Sequence, residues 1–339
     1  MSGLFIPAKP SAEAEAFAAR FIDLAHPRLG SRVMDVSDEF FAARERLIEP
    51  KPPVFLPDEY DDHGKWMDGW ETRRRRSPGH DFAVIRLGTR GVIRALDIDT
   101  SFFTGNYPPE AMIEAAASED APQERDWQML VPKMRLAGDS HHVVEIHDPR
   151  PFRWLRLSIY PDGGVARLRV YGEVAMDWAA VSPQESVDLA ALAHGGRALA
   201  WSDAHYGHPS NMLAPGRGAN MGDGWETARR RGPGNDWAVI RLGTAGTVER
   251  IELDTAHFKG NYPDRASVRA IRLADEPGLG RLGEDSPLWP LLMEEVKLGP
   301  DAVHSFEHLH DLGPVTHIRF DIFPDGGVSR LRIIGKKAR

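Results

Sequence analysis

The residues best suited to chemistry come in duplicate. Asp68 and Glu71 belong to a D-G-W-E-T element followed by an arginine run that includes Arg74 and Arg76. Asp223 and Glu226 belong to a second such element, followed by Arg229 and Arg231. A guanidinium grips a carboxylate in bidentate fashion, while Asp and Glu accept N–H bonds. Together they suit a small ligand that carries a carboxylate and amide groups. The same residues could instead form a structural ion-pair lattice on a strand edge. Next come His80-Asp81 and Asn235-Asp236. A histidine beside an aspartate can do acid–base work. Because the second copy has asparagine there, Asp81 and Asp236 are the firmer candidates, against a turn role after Pro-Gly. A third element, D-T running into G-N-Y-P, supplies Asn106 and Asn261. Loops of this kind place polar groups at the rim of a sheet. His257 stands where the first copy has Phe102, so the two copies are chemically unequal. The P-D-G-G segments at Asp162 and Asp325 are expected to be hairpin turns.

These elements are parts of a longer echo. Residues 68–108 and 223–263 are related by a constant offset of 155 without a gap, and 26 of the 41 positions are identical. Residues 160–172 and 323–335 match at 9 of 13 positions with an offset of 163. A fainter match at offset 165 aligns residues 32–38 with 197–203, and Pro50 with Pro215. A period near 160 is far longer than the roughly 20–50 residues of solenoid repeats, so each copy is a whole domain. The expected organisation is an N-terminal extension at 1–19, partly helical, a first repeat at 20–175 and a second at 190–337. The second repeat has a longer segment near 275–288 without a close counterpart.

Between the polar elements the pattern is that of strands. Ile318, Phe320 and Ile322 alternate with Arg319 and Asp321, and Leu155, Leu157 and Ile159 with Arg156 and Ser158. Period-2 alternation marks strands with one face on a core. Short strands punctuated by Gly and Pro in a unit of roughly 150 residues predict an all-β sandwich or jelly roll in each repeat. Helix is expected only at 12–24 and, between the repeats, at 187–193.

Composition removes several function classes. The 339 residues include no cysteine, which excludes disulfides, thiolate nucleophiles and cysteine-ligated metal. The net charge of −8 argues against nucleic acid or an anionic membrane as partner. No stretch approaches the ~20 apolar residues of a membrane span, and the N-terminus has no secretory pattern, so a cytoplasmic protein is expected. The 14 histidines include His205, His208 and His257, but no H-E-x-x-H or comparable framework, and no metal site is assigned. Nor is there a phosphate loop or a G-x-S-x-G elbow.

With these residues in view, the chain resembles the allantoicase family. The resemblance rests on W-M-D-G-W-E-T-R-R-R-R from Trp66, G-H-D-F-A-V-I-R-L-G from Gly79 and D-T-S-F-F-T-G-N-Y-P from Asp99. M-G-D-G-W-E-T-A-R-R-R from Met221 and D-T-A-H-F-K-G-N-Y-P from Asp254 complete it. It spans residues 21–335 and implies two jelly rolls of the galactose-binding, discoidin-like type. It also implies hydrolysis of allantoate to (S)-ureidoglycolate and urea in purine and allantoin degradation, and homo-oligomers. Such a reaction clamps a carboxylate, binds two ureido groups, protonates a leaving nitrogen and deprotonates a water, and in principle needs no cofactor. Arg74, Arg76, Arg229 and Arg231 are candidates for the clamp. Asp68, Asp223, Asn106 and Asn261 would hold ureido groups, as could Glu71 and Glu226, which are also catalytic candidates with Asp81, Asp236 and His257. The alternatives are a non-catalytic discoidin-like binder of small molecules or carbohydrate, and a related ureide hydrolase. The charged repeated loops and the absence of cysteine favour the hydrolase.

Overall fold

The computed structural model describes residues 5–275 and 278–338. The chain divides into two compact units, Met1–Ala175 and Met176–Arg339, which share one architecture. Each is built on a single 19-residue strand, Asp81–Asp99 in the first repeat and Asp236–Asp254 in the second. The N-terminal half of Asp81–Asp99 pairs with Arg32–Val36 and Pro151–Tyr160, and its C-terminal half with His141–Glu145 and Arg167–Val174. All these pairings are antiparallel, so one long strand joins four others. Midway along it a loop packs too closely for any side chain: a Cβ on Gly88 would lie 1.9 Å from the Leu29 carbonyl oxygen, and one on Gly243 2.0 Å from that of His194. The second repeat repeats the plan with strands Arg197–Trp201, Val315–Phe323, Val303–Phe306 and Arg330–Lys337 around Asp236–Asp254.

Alternation along these strands fills one core per repeat. Ala83, Ile85 and Leu87 are fully buried on one face of the first strand, and Ile318, Phe320 and Ile322 are fully buried in the second repeat. Trp70 and Trp225 are the largest fully buried side chains. Each indole N–H donates at 2.9 Å to a backbone carbonyl, of Asp38 and Asp203 respectively. Loss of either ring costs about 3–5 kcal/mol. The tryptophan of D-G-W-E-T therefore anchors the element beneath the rim, and its neighbours Glu71 and Glu226 inherit fixed positions.

Helix is scarcer than the sequence predicts. The N-terminal helix covers Ala12–Arg20, capped by Ser11, and the chain then extends into the short strand Ile22–Asp23. The helix expected at 187–193 is not formed. Val187–Asp188 pairs with the strand Arg330–Lys337, because the Asp188 carboxylate accepts the backbone N–H groups of Ala190 and Ile333. Leu192–His194 is a single 3-10 turn. Among the described residues no helix is long and apolar enough to cross a membrane.

The repeats differ in two segments. Of the longer stretch near 275–288, residues 276–277 lie outside the described residues, and the rest forms the helix Leu279–Asp285 and the turn Ser286–Leu288. Leu282 of this helix is fully buried with Leu199, Val239 and Trp289. The equivalent face of the first repeat, with Met34 and Val84 in place of Leu199 and Val239, is an open groove of about 690 Å³. The first repeat has its own insertion at the rim. Val54 and Ala219 make the same bond, backbone N–H to the carboxylate of Asp68 and of Asp223, but across 14 residues in one case and 4 in the other. The ten extra residues carry the hairpin of Tyr60–Asp61 and Gly64–Lys65.

Candidate active site

Glu71 lies in the two-residue strand Trp70–Glu71, which pairs with Gly164–Val165 at the end of the P-D-G-G turn. Its Oε1 accepts the side-chain amide of Asn106 at 2.8 Å. The pair opens into a cavity of about 480 Å³ whose walls include Phe41, Phe55, Lys65 and Phe102. Phe55 and Phe102 stack with ring centroids 5.6 Å apart. The hairpin insertion closes one side. The Lys65 ammonium donates to the carbonyls of Leu56, Pro57 and Glu59 and lies over the Phe55 and Tyr60 rings, so its donors tie the hairpin together. Burial pushes the Glu71 carboxyl above the ordinary carboxylate range; the Asn106 bond draws it back, and Asp61 pushes it up again.

The Phe102 wall is held by a strained corner. Phe102 and Asp139 both adopt left-handed backbone conformations, with φ of 69° and 49°, and the Phe102 N–H donates to Asp139 Oδ1 at 2.8 Å. Non-glycine residues persist in that region only where surroundings fix them, and such corners gather at ligand sites. The second repeat copies the corner with His257 at φ 73° and Asp301 at φ 48°, joined by the same bond at 2.7 Å. There Asn261 donates to Glu226 Oε1 at 2.6 Å, and His257 donates from Nε2 to the Gly218 carbonyl at 2.8 Å.

The other candidates are placed differently. Asp68 accepts the Val54 N–H and the guanidinium of Arg167, each at 2.9 Å, and Arg167 is only 1% exposed. Arg167 also donates to the carbonyls of Lys51, Asp68 and Ala166. Asp223 is held in the same way by the Ala219 N–H and by Arg330. These carboxylates brace the loops under the rim and do not line the cavity. Asp81 is buried and accepts the Ser37 hydroxyl and Arg75 at 2.9 and 2.7 Å. Asp236 is bound likewise by Ser202 and Arg230. Both carboxylates hold the arginine run in place rather than face the cavity.

Paired and unpaired side chains alternate along the arginine run. Arg73 pairs with Asp38 and Arg75 with Asp81, while Arg74 and Arg76 are exposed without an ion-pair partner among the described residues. Arg229 and Arg231 are exposed on either side of the paired Arg230. Among the described residues no group of three His, Asp or Glu side chains is arranged to hold a metal ion.

Sequence reasoning missed Arg167, Arg330, Phe55, Lys65 and Asp139. The first two carried a signal, the R-L-R that follows both P-D-G-G turns. The hairpin residues belong to one repeat alone, where an internal echo cannot point to them.

Each repeat is a β-sandwich that carries a carboxylate–amide pair at its rim, Glu71 with Asn106 and Glu226 with Asn261. The sequence pattern of the allantoicase repeat matches residues 22–175 and 187–338. Probable allantoicase 2 of Burkholderia pseudomallei is 54% identical over 328 residues, covering 96% of this chain and 97% of that protein. A probable allantoicase of Pseudomonas fluorescens is 53% identical, covering 94% and 96%. The crystal structure of allantoicase from Saccharomyces cerevisiae superposes with a TM-score of 0.79 at 36% identity, covering 98% of this chain and all of that one. The chain belongs to the allantoicase family.

Proposed function

We propose that the first rim carries the reaction, with Glu71 as the group that moves the proton. As a member of its family the chain hydrolyses allantoate to (S)-ureidoglycolate and urea. Allantoate has one carbon bearing a carboxylate and two ureido groups. Protonated Glu71 gives its proton to the nitrogen of one ureido group as the carbon–nitrogen bond breaks, and urea departs. The lone pair of the remaining ureido nitrogen forms the carbon–nitrogen double bond of an acyl-iminium species. Water adds to that carbon and returns a proton to the Glu71 carboxylate, which restores the acid.

The observation that carries this reading is the raised, half-buried Glu71 carboxyl in a walled cavity. A carboxyl whose pKa is raised holds its proton to higher pH than an ordinary glutamate and can deliver it to a leaving nitrogen. Asn106 holds the carboxyl oriented, and the stacked Phe55 and Phe102 rings offer flat surfaces for a planar ureido group. Arg74 supplies the carboxylate clamp. Its Cα lies three residues from that of Glu71, at most about 11 Å away, and among the described residues its guanidinium has no hydrogen bond or ion pair. Arg76 is a second exposed cation two residues further on. The proposal includes a cytoplasmic location and homo-oligomers, for which light scattering of the purified chain is the test.

The assay is product analysis from allantoate. Equimolar urea and ureidoglycolate from the wild-type chain, with Arg74→Gln raising KM far more than it lowers kcat, is the expected result. Binding without product would leave a discoidin-like binding protein, and activity on ureidoglycolate alone a neighbouring ureide hydrolase.

A further inference from the structure

The two rims share a backbone and differ in what surrounds it. The first has the hairpin insertion, the Phe55 and Phe102 rings, and Thr104. The second lacks the insertion, and its corner carries His257 for Phe102, Lys259 for Thr104 and Arg217 for Pro52. Gly218, next to Arg217, supplies the carbonyl that fixes the His257 ring. Lys259 and Arg217 are exposed, and neither has a hydrogen bond or close ion pair among the described residues. Both lie close enough to act on Asp301. Its carboxyl is held below the ordinary range first by the His257 backbone N–H, then by the charges of Lys259, His257 and Arg217.

We infer that the second rim is a separate binding site for a small ureido carboxylate, held there without the enclosure that hydrolysis needs. The ligand's carboxylate meets Lys259 and Arg217 through charge-assisted hydrogen bonds. Its ureido N–H groups meet Glu226, whose Oε1 is already oriented by Asn261. His257 stands beside them with a fixed ring. Repeat two thus keeps the recognition chemistry of the duplicated rim, with Tyr206 in the place of Phe41, and has cations in place of the Phe55 and Phe102 pair. The inference rests on the proposed reaction only for the choice of a ureido acid as ligand.

The probe is N-carbamoylglycine, which has one carboxylate, one ureido group and no second ureido group to expel. Isothermal titration should give two sites per chain. Lys259→Thr combined with Arg217→Ala should remove one of them, because each lost charge-assisted contact weakens binding about tenfold or more. Lys259→Arg should retain it, which separates lost charge from lost fold. One site per chain in the wild type, or two sites that survive the double substitution, overturns the inference. Glu71→Gln distinguishes the two rims. If turnover survives that change, the reading of the first rim fails, while the stoichiometry of the Lys259 and Arg217 variant still decides the second.

Discussion

Asn106 donates its side-chain amide to Glu71 at 2.8 Å, and the bond opposes the burial that makes Glu71 a weaker acid. The same bond joins Asn261 to Glu226. It stabilises the ionised form, so it sets how much of the carboxyl stays protonated at a given pH.

Asn106→Ala should therefore push Glu71 further up. The basic limb of the kcat/KM profile for allantoate should move to higher pH, together with a loss of orientation that lowers the maximum. A profile whose basic limb stays in place would separate Asn106 from the ionisation that controls turnover.

Glu71 also makes a prediction about stability. Its folded pKa is raised above the unfolded value, so the folded state binds the proton more tightly, and stability is lost as pH rises from the unfolded pKa through the folded one. Glu71→Gln removes that loss. The variant should unfold at a higher temperature than the wild type at pH 7 and show no such gain at pH 4. An equal change at both values would point to packing instead.

His141 ties the N-terminal segment to the first repeat. Its Nδ1 donates to Asp97 at 2.8 Å and its Nε2 to the Lys9 carbonyl at 3.1 Å, an arrangement that requires the doubly protonated ring. The Asp97 bond raises its pKa to about 9. The stabilisation is fully present below about 6.5, the ordinary histidine value, and is lost as pH rises through about 9. His141→Gln should flatten urea-denaturation stability between pH 6.5 and 9.5, whereas a wild-type slope in the variant would assign that window to other groups.

Asp68→Ala leaves the Arg167 guanidinium buried without its carboxylate. Breaking one partner of a buried pair costs about 3–5 kcal/mol. A lowered urea midpoint of the first repeat is the expected outcome. A stable variant with raised KM would return Asp68 to direct substrate contact.

Much of this architecture can be read from the chain. Alternation at Ile318, Phe320 and Ile322 marks a strand in any context, and a 155-residue offset without a gap marks two like domains in tandem along the sequence. The arginine run shows where such reading stops. Four successive arginines are equivalent as letters, yet the fold pairs Arg73 and Arg75 with Asp38 and Asp81 and leaves Arg74 and Arg76 exposed. Asp68 is hidden for a similar reason, since its partner Arg167 lies 99 residues away. The hairpin insertion is present as a change of offset from 165 to 155, but that it walls a cavity follows only from where the fold puts Phe55 and Lys65.

The most direct test is the kcat of Glu71→Gln on allantoate, measured at saturation on protein shown to be folded. Glutamine keeps the shape and the bond to Asn106 but has no proton to give. A fall of about 100-fold to 10,000-fold is predicted, the range for loss of a positioned acid. A kcat near that of the wild type would contradict the account and move the chemistry away from the first rim.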